Sequence, residues 1–177
     1  MNTLKIKDKE FAPYLTHDQI QQAVKKVAAA ITADLDGHDP LFVVVLNGAF
    51  MFASDLMKYV NIPSEIAFVR LSSYIGTQTS HVVKEKMALD RPAGNRPLVI
   101  IEDIIDTGIT MDSYLSRLKA DGNTDVRVAT LLFKPGAFKK DFPIHYVGLE
   151  IPNDFIVGYG LDYDDYGRNL PDIYKIV

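Results

Sequence analysis

The stretch that decides the fold is residues 98–111, LVIIEDIIDTGITM. It begins with an apolar run at 98–101, whose β-branched residues are typical of a strand buried on both faces of a parallel sheet. Two acids, Glu102 and Asp103, follow this run, and a short turn from Asp106 leads into a helical pattern. A buried strand, a short turn and a helix in this order predict an α/β fold with a parallel sheet.

The same stretch predicts a ligand site, because ligands bind beyond the carboxyl ends of the strands in open α/β sheets. The N–H groups and the dipole at the start of the following helix favour an anion such as phosphate. Thr107 and Thr110 add hydroxyl donors, and Gly108 lets the backbone approach a ligand closely. The acids can hold hydroxyl groups, bind Mg²⁺ or accept a proton. Together these groups suit a phosphorylated sugar that carries a metal, whereas a Glu-Asp pair alone would more often mark a solvated strand end.

Composition limits the class of protein. A length of 177 residues suggests one domain, and 47% hydrophobic residues are enough for a substantial core. The net charge of −4 argues against non-specific binding of nucleic acid. The chain has no cysteine, so disulfides and thiolate catalysis are excluded, which fits a reducing cytoplasm. Because no apolar run approaches the length of a membrane span and the first residues lack a signal segment, we expect a cytoplasmic protein without a membrane partner.

Apolar strands alternate with helical patterns along most of the chain. Thr16 and Gln19 form a capping box before a helix that should end near Leu35. The remaining elements come in the order strand 41–46, helix 50–60, strands 66–71 and 98–101, helix 110–120, and strands 126–133, 144–149 and 155–157. This alternation predicts a doubly wound, mostly parallel sheet. The chain ends, about 1–36 and 158–177, do not fit the alternation.

Residues 72–97 form a long connection without strong periodicity, and a polar cluster lies at 72–80. Irregular connections of this length in a compact domain are usually functional or disordered. We expect an active-site lid, and a surface hairpin is the alternative.

The stretch LVIIEDIIDTGITM resembles the phosphoribosyl-diphosphate signature of the type I phosphoribosyltransferases, in the version found in hypoxanthine-guanine phosphoribosyltransferases. The resemblance extends from the turn LNGA at 46–49 to GRNLPDIY at 167–174. It implies a single domain with a core at about 37–157 and a small hood over the purine, built from about 1–36 and 158–177. It also implies transfer of ribose 5-phosphate from phosphoribosyl diphosphate to a 6-oxopurine such as hypoxanthine or guanine. The products would be IMP or GMP and pyrophosphate.

The resemblance implies a role for each residue of the signature. Asp106 would be the general base near purine N7. Glu102 and Asp103 would hold the ribose hydroxyls, directly or through Mg²⁺. The residues that would hold the 5-phosphate are Thr107, Gly108, Ile109 and Thr110.

The resemblance also implies roles outside the signature. Lys134 would donate to the 6-oxo group, Phe155 would stack on the base, and the Ile156 backbone would contact its edge. Asp162 would hold a second Mg²⁺ through water. The residues that would contact pyrophosphate are Asn47, Gly48 and Arg168, and those of the lid are Ser73 and Tyr74. Without the resemblance, Lys134 would be interpreted as a solvated strand end and Phe155 as core.

The chain departs from the family pattern at two places. Asn47 stands where relatives usually have lysine, and Ala137, Phe138 and Lys139 follow Lys134 where relatives often have arginine. Backbone N–H groups would still reach pyrophosphate near Asn47. The apolar helices make a homodimer or homotetramer plausible.

Three other functions explain part of the pattern. The first is a non-catalytic regulator that binds phosphoribosyl diphosphate on the same fold, since fold alone does not decide function. The second is an orotate or adenine phosphoribosyltransferase, against which Lys134 and the Phe155 region argue. The third is a flavodoxin-like signalling domain, which would not explain the acids, the Thr/Gly turn and the long polar loop together.

Overall fold

The computed structural model describes residues 3–73, 83–90 and 92–177. In chain order, its elements are β1 Leu4–Ile6, β2 Lys9–Leu15, α1 His17–Asp34, β3 Leu41–Leu46, α2 Phe50–Tyr59, β4 Glu65–Ser73, β5 Val83–Met87, β6 Leu98–Ile105, α3 Ile109–Ala120, β7 Val126–Phe133, β8 Tyr146–Glu150, β9 Ile156–Val157 and β10 Ile173–Ile176. The lid expectation at Tyr74 lies outside the described residues, and Ser73 is the last residue of β4.

The larger sheet has six strands in the order β5-β4-β3-β6-β7-β8. Every pair of neighbouring strands is parallel except β4 and β5, which are antiparallel. Helices α1 and α2 pack on one face of this sheet, and α3 packs on the other. The predicted doubly wound, mostly parallel sheet is therefore confirmed.

Strand β3 shows why an uninterrupted apolar run is needed at the centre of such a sheet. Its residues alternate between the two faces, as the two-residue repeat of a strand requires. Phe42 and Val44 pack in the core under α1 and α2. Val43 and Val45 pack in the core under α3. A polar side chain at any of these four positions would be buried without an evident partner.

Helix α1 begins with the predicted capping box. The Thr16 hydroxyl accepts from the Gln19 N–H, and the Gln19 side chain accepts from the Thr16 N–H. The apolar face of the helix is buried against α2, β7 and β8. Although α1 lies within residues 1–36, it therefore packs on the larger sheet.

Strand β6 is longer than the sequence suggested. The apolar run at 98–101 predicted a strand that ends where the acids begin, and this boundary is wrong. Backbone pairing with β7 continues from Glu102 opposite Thr130 to Ile105 opposite Phe133. The acids are therefore part of the strand, and the turn begins only at Asp106.

A smaller antiparallel sheet is built from both ends of the chain, in the order β1-β2-β10-β9. Its own core contains Ile6, Phe11 and Val157. Within the part of the chain that the structure describes, no helix is both long and apolar enough to cross a membrane.

Candidate active site

Two loops meet at the carboxyl edge of the larger sheet, where β3 and β6 lie side by side. From β3 the chain continues through α2 to β4 on one side, and from β6 it continues through α3 to β7 on the other. The turn at 47–49 and the turn at 106–108 therefore open into the crevice between diverging connections. The connections from β3 and β6 run in opposite directions along the sheet, and doubly wound sheets bind ligands at the point where the strand order reverses in this way.

The three acids of β6 and its turn interact with one another. Asp103 is buried, with an exposed fraction of 9%, and its Oδ1 accepts from the Ile104 N–H at 2.8 Å. Burial raises the pKa of Glu102 well above its usual value, and the charges of Asp103 and Asp106 act in the same direction. Burial also raises the pKa of Asp103, although hydrogen bonds and the charge of Arg168 oppose the shift. Glu102 and Asp106 thus line one cavity, and Asp103 lies beside them against the turn at Gly48.

Gly48 lies against the carboxylate of Asp103. A Cβ atom built on Gly48 would be 1.8 Å from Asp103 Oδ2, so only glycine fits this close approach. The peptide bond before Asn47 is cis. The contact at Gly48 means that the turn after β3 approaches Asp103 of β6 with backbone rather than side chain.

The turn before α3 forms a cup of backbone amides. Gly108 is the N-cap with φ of 76°, and as a glycine it has no side chain that could cap the helix. The Thr107 hydroxyl accepts from the Ile109 N–H at a long 3.5 Å. Because the first N–H groups of a helix have no intrahelical partner, the N–H groups that follow leave this end able to receive an anion. A cavity of about 260 Å³ lies above it. The cavity is lined by Val45, Leu46, Leu71, Glu102, Ile104, Ile105, Asp106, Gly108, Thr110 and Met111.

Asp106 is exposed at the entrance to this cup. Its Oδ1 accepts from the Thr107 N–H and, at 3.4 Å, from the Thr107 hydroxyl. Its other carboxylate oxygen takes part in neither bond. The residue is therefore fixed by its own turn while one oxygen can accept a proton from a ligand.

Aromatic residues pack behind the amide cup, in the segment that follows Lys134. A Cβ atom on Gly108 would be 2.5 Å from the ring of Phe138, which also makes edge-to-face contacts with Phe133 and Phe142. The Lys139 N–H donates to the Thr107 carbonyl at 3.1 Å. In this chain the segment supports the turn through packing and backbone contacts.

The predicted purine residues lie together at the end of β7. Lys134 Nζ donates to the carbonyl of Asp154 at 2.8 Å, which places the ammonium beside Phe155. Phe155 is 46% exposed, so it is not a core residue, and its ring contacts Phe11 and Tyr163. Ile156 is buried in β9, where its backbone pairs with β10.

Arg168 and Asp162 are paired with each other. The guanidinium is 2.7 Å from Asp162 Oδ1 and donates to the Gly160 carbonyl at 2.8 Å. Asp162 also accepts from the Asp165 N–H, as a turn residue does. A cavity of about 510 Å³ has both Asn47 and Arg168 on its wall. The structure thus brings two of the three predicted pyrophosphate residues to one cavity.

The donors that could hold a divalent cation are carboxylates. Among the described residues, no three acidic or histidine side chains converge into a complete metal cage. Mg²⁺ is usually bound by one or two carboxylates together with waters and substrate phosphates. Glu102, Asp103 and Asp162 fit that kind of binding, in which the substrate supplies part of the coordination.

Comparisons with known proteins agree with this geometry. A family model described as "Phosphoribosyl transferase domain" matches residues 12–164. A hypoxanthine-guanine phosphoribosyltransferase of Mycobacterium tuberculosis is 42% identical over 164 residues, covering 88% of this chain and 81% of that protein.

Solved structures give a similar result. A crystal structure of a hypoxanthine phosphoribosyltransferase from Staphylococcus aureus has a TM-score of 0.88 and 38% identity, covering 93% of this chain and 90% of that one. The enzyme of Trypanosoma cruzi in complex with the product IMP has a TM-score of 0.88 and 30% identity, covering 98% of this chain and 97% of that one.

Proposed function

The chain belongs to the phosphoribosyltransferase family, and from this premise we propose that it is a purine salvage enzyme. It transfers ribose 5-phosphate from 5-phosphoribosyl 1-diphosphate to a 6-oxopurine, giving IMP from hypoxanthine or GMP from guanine, together with pyrophosphate. The observation that carries this function is the cavity that has Glu102 and Asp106 on its rim and the amide cup of α3 at its base.

The amide cup orients the sugar. The 5-phosphate lies on the N–H groups at 107–110, where the helix dipole stabilises its charge. Glu102 and Asp103 then receive the ribose hydroxyls. When pyrophosphate departs from the anomeric carbon, positive charge grows on the ribose ring, and the nearby carboxylates stabilise it.

Asp106 acts on the base. As the purine nitrogen attacks the anomeric carbon, the proton at N7 becomes more acidic, and Asp106 accepts it. Its own turn supports this role, because Thr107 holds one carboxylate oxygen and leaves the second available. Such positioned proton transfer contributes roughly 10²- to 10⁴-fold to a rate.

Lys134 selects the base. Its ammonium donates to a 6-oxo group, while the 6-amino group of adenine would present another donor to it. Phe155, with its exposed ring, stacks on the purine, and the Ile156 backbone contacts the purine edge. The contact of Lys134 Nζ with the Asp154 carbonyl supports this arrangement, because it holds the ammonium beside that segment.

Mg²⁺ would be held by Glu102 and Asp103 on the ribose side and, through water, by Asp162 on the pyrophosphate side. When bound, the cation would neutralise the leaving pyrophosphate and act as a Lewis acid. Asn47, Gly48 and Arg168 would contact pyrophosphate, with Gly48 contributing its backbone N–H. Tyr74 and Ser73 would belong to a lid that excludes water.

A spectrophotometric assay tests the function. The chain is incubated with phosphoribosyl diphosphate and, in turn, hypoxanthine, guanine, xanthine and adenine, with Mg²⁺ and with excess chelator. We expect nucleotide and pyrophosphate to form from hypoxanthine and guanine, and formation to stop when the cation is removed. Binding of phosphoribosyl diphosphate without turnover of any base would instead indicate a regulator.

The contact between Gly48 and Asp103 gives a prediction of its own. In Gly48→Ala the new methyl group would lie 1.8 Å from Asp103 Oδ2, so the carboxylate must move. A displacement of about 1 Å at a reacting site can cost roughly 100-fold, and we expect kcat/KM for phosphoribosyl diphosphate to fall by that order.

The matched control for this prediction is Gly136→Ala, because a Cβ atom at Gly136 would meet no atom within 4 Å. We expect this variant to keep the kcat/KM of the unmodified chain. Equal kinetics for the two alanine variants would show that the close approach of Gly48 is not required.

We also propose that the protein is a homo-oligomer. Ile66 and Phe68 lie on the face of β4 that points to the side of α1 and α2, yet both are exposed, and Phe68 is 45% exposed. Met87 of β5 lies opposite Arg70 and is exposed as well. Contiguous exposed apolar residues of this kind commonly mark a contact between proteins, and a second copy would cover them.

Phe68→Glu tests the oligomer. A charge in the centre of a buried contact is costly, so we expect light scattering to give a dimer or tetramer for the unmodified chain and a monomer for the variant. Thr124→Glu adds the same charge to an exposed loop and should leave the mass unchanged. An unchanged mass for Phe68→Glu would show that the contact between subunits does not include Phe68.

The cytoplasmic location stays a prediction, which cell fractionation would check.

A further inference from the structure

Tyr159 is a buried residue to which the proposed reaction gives no role. It is 1% exposed, and its hydroxyl donates to Asp55 Oδ2 of α2 at 2.6 Å. The same oxygen accepts from the Gln21 amide at 2.7 Å, and Oδ1 pairs with Lys58 at 2.7 Å. Although burial opposes the shift, hydrogen bonds from Lys58, Tyr159 and Gln21 lower the pKa of Asp55. A charged carboxylate thus holds the tyrosine hydroxyl.

The backbone at Tyr159 is in a conformation that bulky residues rarely adopt. Its φ is 50°, in the left-handed region, and it lies between Gly158 and Gly160, whose φ values are also positive. A Cβ atom on Gly160 would be 2.1 Å from the Gly48 carbonyl oxygen, so this turn is pressed against the turn after β3. The anchored side chain of Tyr159 explains how an unfavourable backbone conformation is maintained.

The turn also holds Arg168. The Gly160 N–H donates to the Arg168 carbonyl at 2.9 Å, and the Gly160 carbonyl accepts from the Arg168 guanidinium at 2.8 Å. Asp55, the partner of Tyr159, belongs to α2, which begins at Phe50 directly after the turn at 47–49. The hydrogen bond between Tyr159 and Asp55 therefore connects α2, which follows the turn at 47–49, to the turn at 158–160, which holds Arg168.

We propose that Tyr159 is a positioning residue whose hydrogen bond to Asp55 sets the spacing between the turn at 47–49 and Arg168. Through this spacing it determines the affinity for the pyrophosphate group of phosphoribosyl diphosphate. The inference rests on the proposed function, which assigns pyrophosphate to these two loops. A tyrosine that served only the core would contribute to stability and leave the affinity for pyrophosphate unchanged.

The test is Tyr159→Phe, which removes the hydroxyl and keeps the ring. Calorimetry with inorganic pyrophosphate and Mg²⁺ should give a Kd raised roughly 10-fold, as expected for loss of a hydrogen bond to a charged group that orders the site. The KM for phosphoribosyl diphosphate should rise by the same order. The KM for hypoxanthine should stay unchanged, because Lys134 bonds to the Asp154 carbonyl and Phe155 packs on Phe11 and Tyr163, and none of these contacts involves Tyr159 or Asp55.

Tyr146→Phe is the matched control. The Tyr146 hydroxyl also donates to a carboxylate, that of Asp34, and Asp34 keeps Arg127 as a cationic partner just as Asp55 keeps Lys58. We expect the two variants to lower Tm by similar amounts, but only Tyr159→Phe to weaken binding of pyrophosphate. If both lower Tm and neither changes the Kd, the positioning role is wrong.

If Tyr159→Phe does not fold, a second pair of variants tests the positioning role of the hydrogen bond between Tyr159 and Asp55. Asp55→Asn keeps an acceptor for the Tyr159 hydroxyl and should retain the Kd for pyrophosphate, whereas Asp55→Ala should raise it. Equal Kd values for these two would overturn the inference. If Tyr159→Phe weakens the binding of pyrophosphate as expected but the unmodified chain forms no nucleotide, the proposed function is refuted and the positioning role is not.

Discussion

Asp106→Asn should lower kcat with hypoxanthine by roughly 10²- to 10⁴-fold, because asparagine cannot accept the proton from purine N7. The asparagine oxygen can still accept from the Thr107 N–H, which is the contact that fixes the turn. We therefore expect the KM for phosphoribosyl diphosphate and the Tm to stay close to those of the unmodified chain. Single-turnover kinetics with hypoxanthine would measure the loss at the chemical step.

Asp112→Asn is the control for this variant. It removes the same charge in the first turn of α3, where Asp112 pairs with Lys140 at 2.8 Å, away from the wall of the cavity. Its kcat should change by no more than a few-fold. Near-normal turnover in Asp106→Asn would show that Asp106 is not the general base.

The second large effect concerns the choice of base. A site built around a hydrogen bond to a substrate rejects an analogue that leaves the bond unmade by roughly 10⁴-fold or more. We expect kcat/KM to favour hypoxanthine and guanine over adenine by that order. Lys134→Gln should lower this preference by at least roughly 100-fold, since a glutamine amide offers both a donor and an acceptor.

Lys119→Gln serves as the control, because Lys119 is an exposed lysine in the last turn of α3. Its base preference should equal that of the unmodified chain. If the unmodified chain used adenine as well as hypoxanthine, the role of Lys134 would be refuted.

The sequence predicted the limits of helices and strands best where apolar runs and nearby turn or capping residues indicate the same boundary. Strand β3 is an uninterrupted apolar run and β7 is a largely apolar one, and the predicted limits of both match the structure at both ends. The start of α1 was equally clear, because a capping box satisfies specific N–H groups. Local signals of this kind depend on neighbours only a few residues away.

The limits of β6 and the position of Phe155 depend on contacts that are distant in the sequence. Glu102 and Asp103 were expected to end the strand, but pairing with β7 continues through them, because a ladder is formed by backbone groups whatever the side chains are. Without the family resemblance, Phe155 would have been assigned to the core, since an aromatic residue beside a strand usually belongs there.

Tyr159 and Asp55 were not singled out from the sequence. Their hydrogen bond joins residues that are 104 positions apart, and a local sequence pattern does not indicate which distant residues form a pair. A weak signal did exist, since a tyrosine between two glycines lies three residues before Asp162, and Asp55 is the single acid in α2. The sequence places Phe138 in the segment after Lys134, but only the structure shows that it packs on Gly108.

A crystal structure of the chain with bound IMP would show directly whether the turn before α3 binds the phosphate of the nucleotide. We expect the phosphate oxygens to lie about 3 Å from the backbone nitrogens at 107–110. Purine N7 should lie within hydrogen-bond reach of the Asp106 carboxylate, about 3 Å away. A phosphate bound outside the cup, with Asp106 turned away from the base, would contradict this expectation.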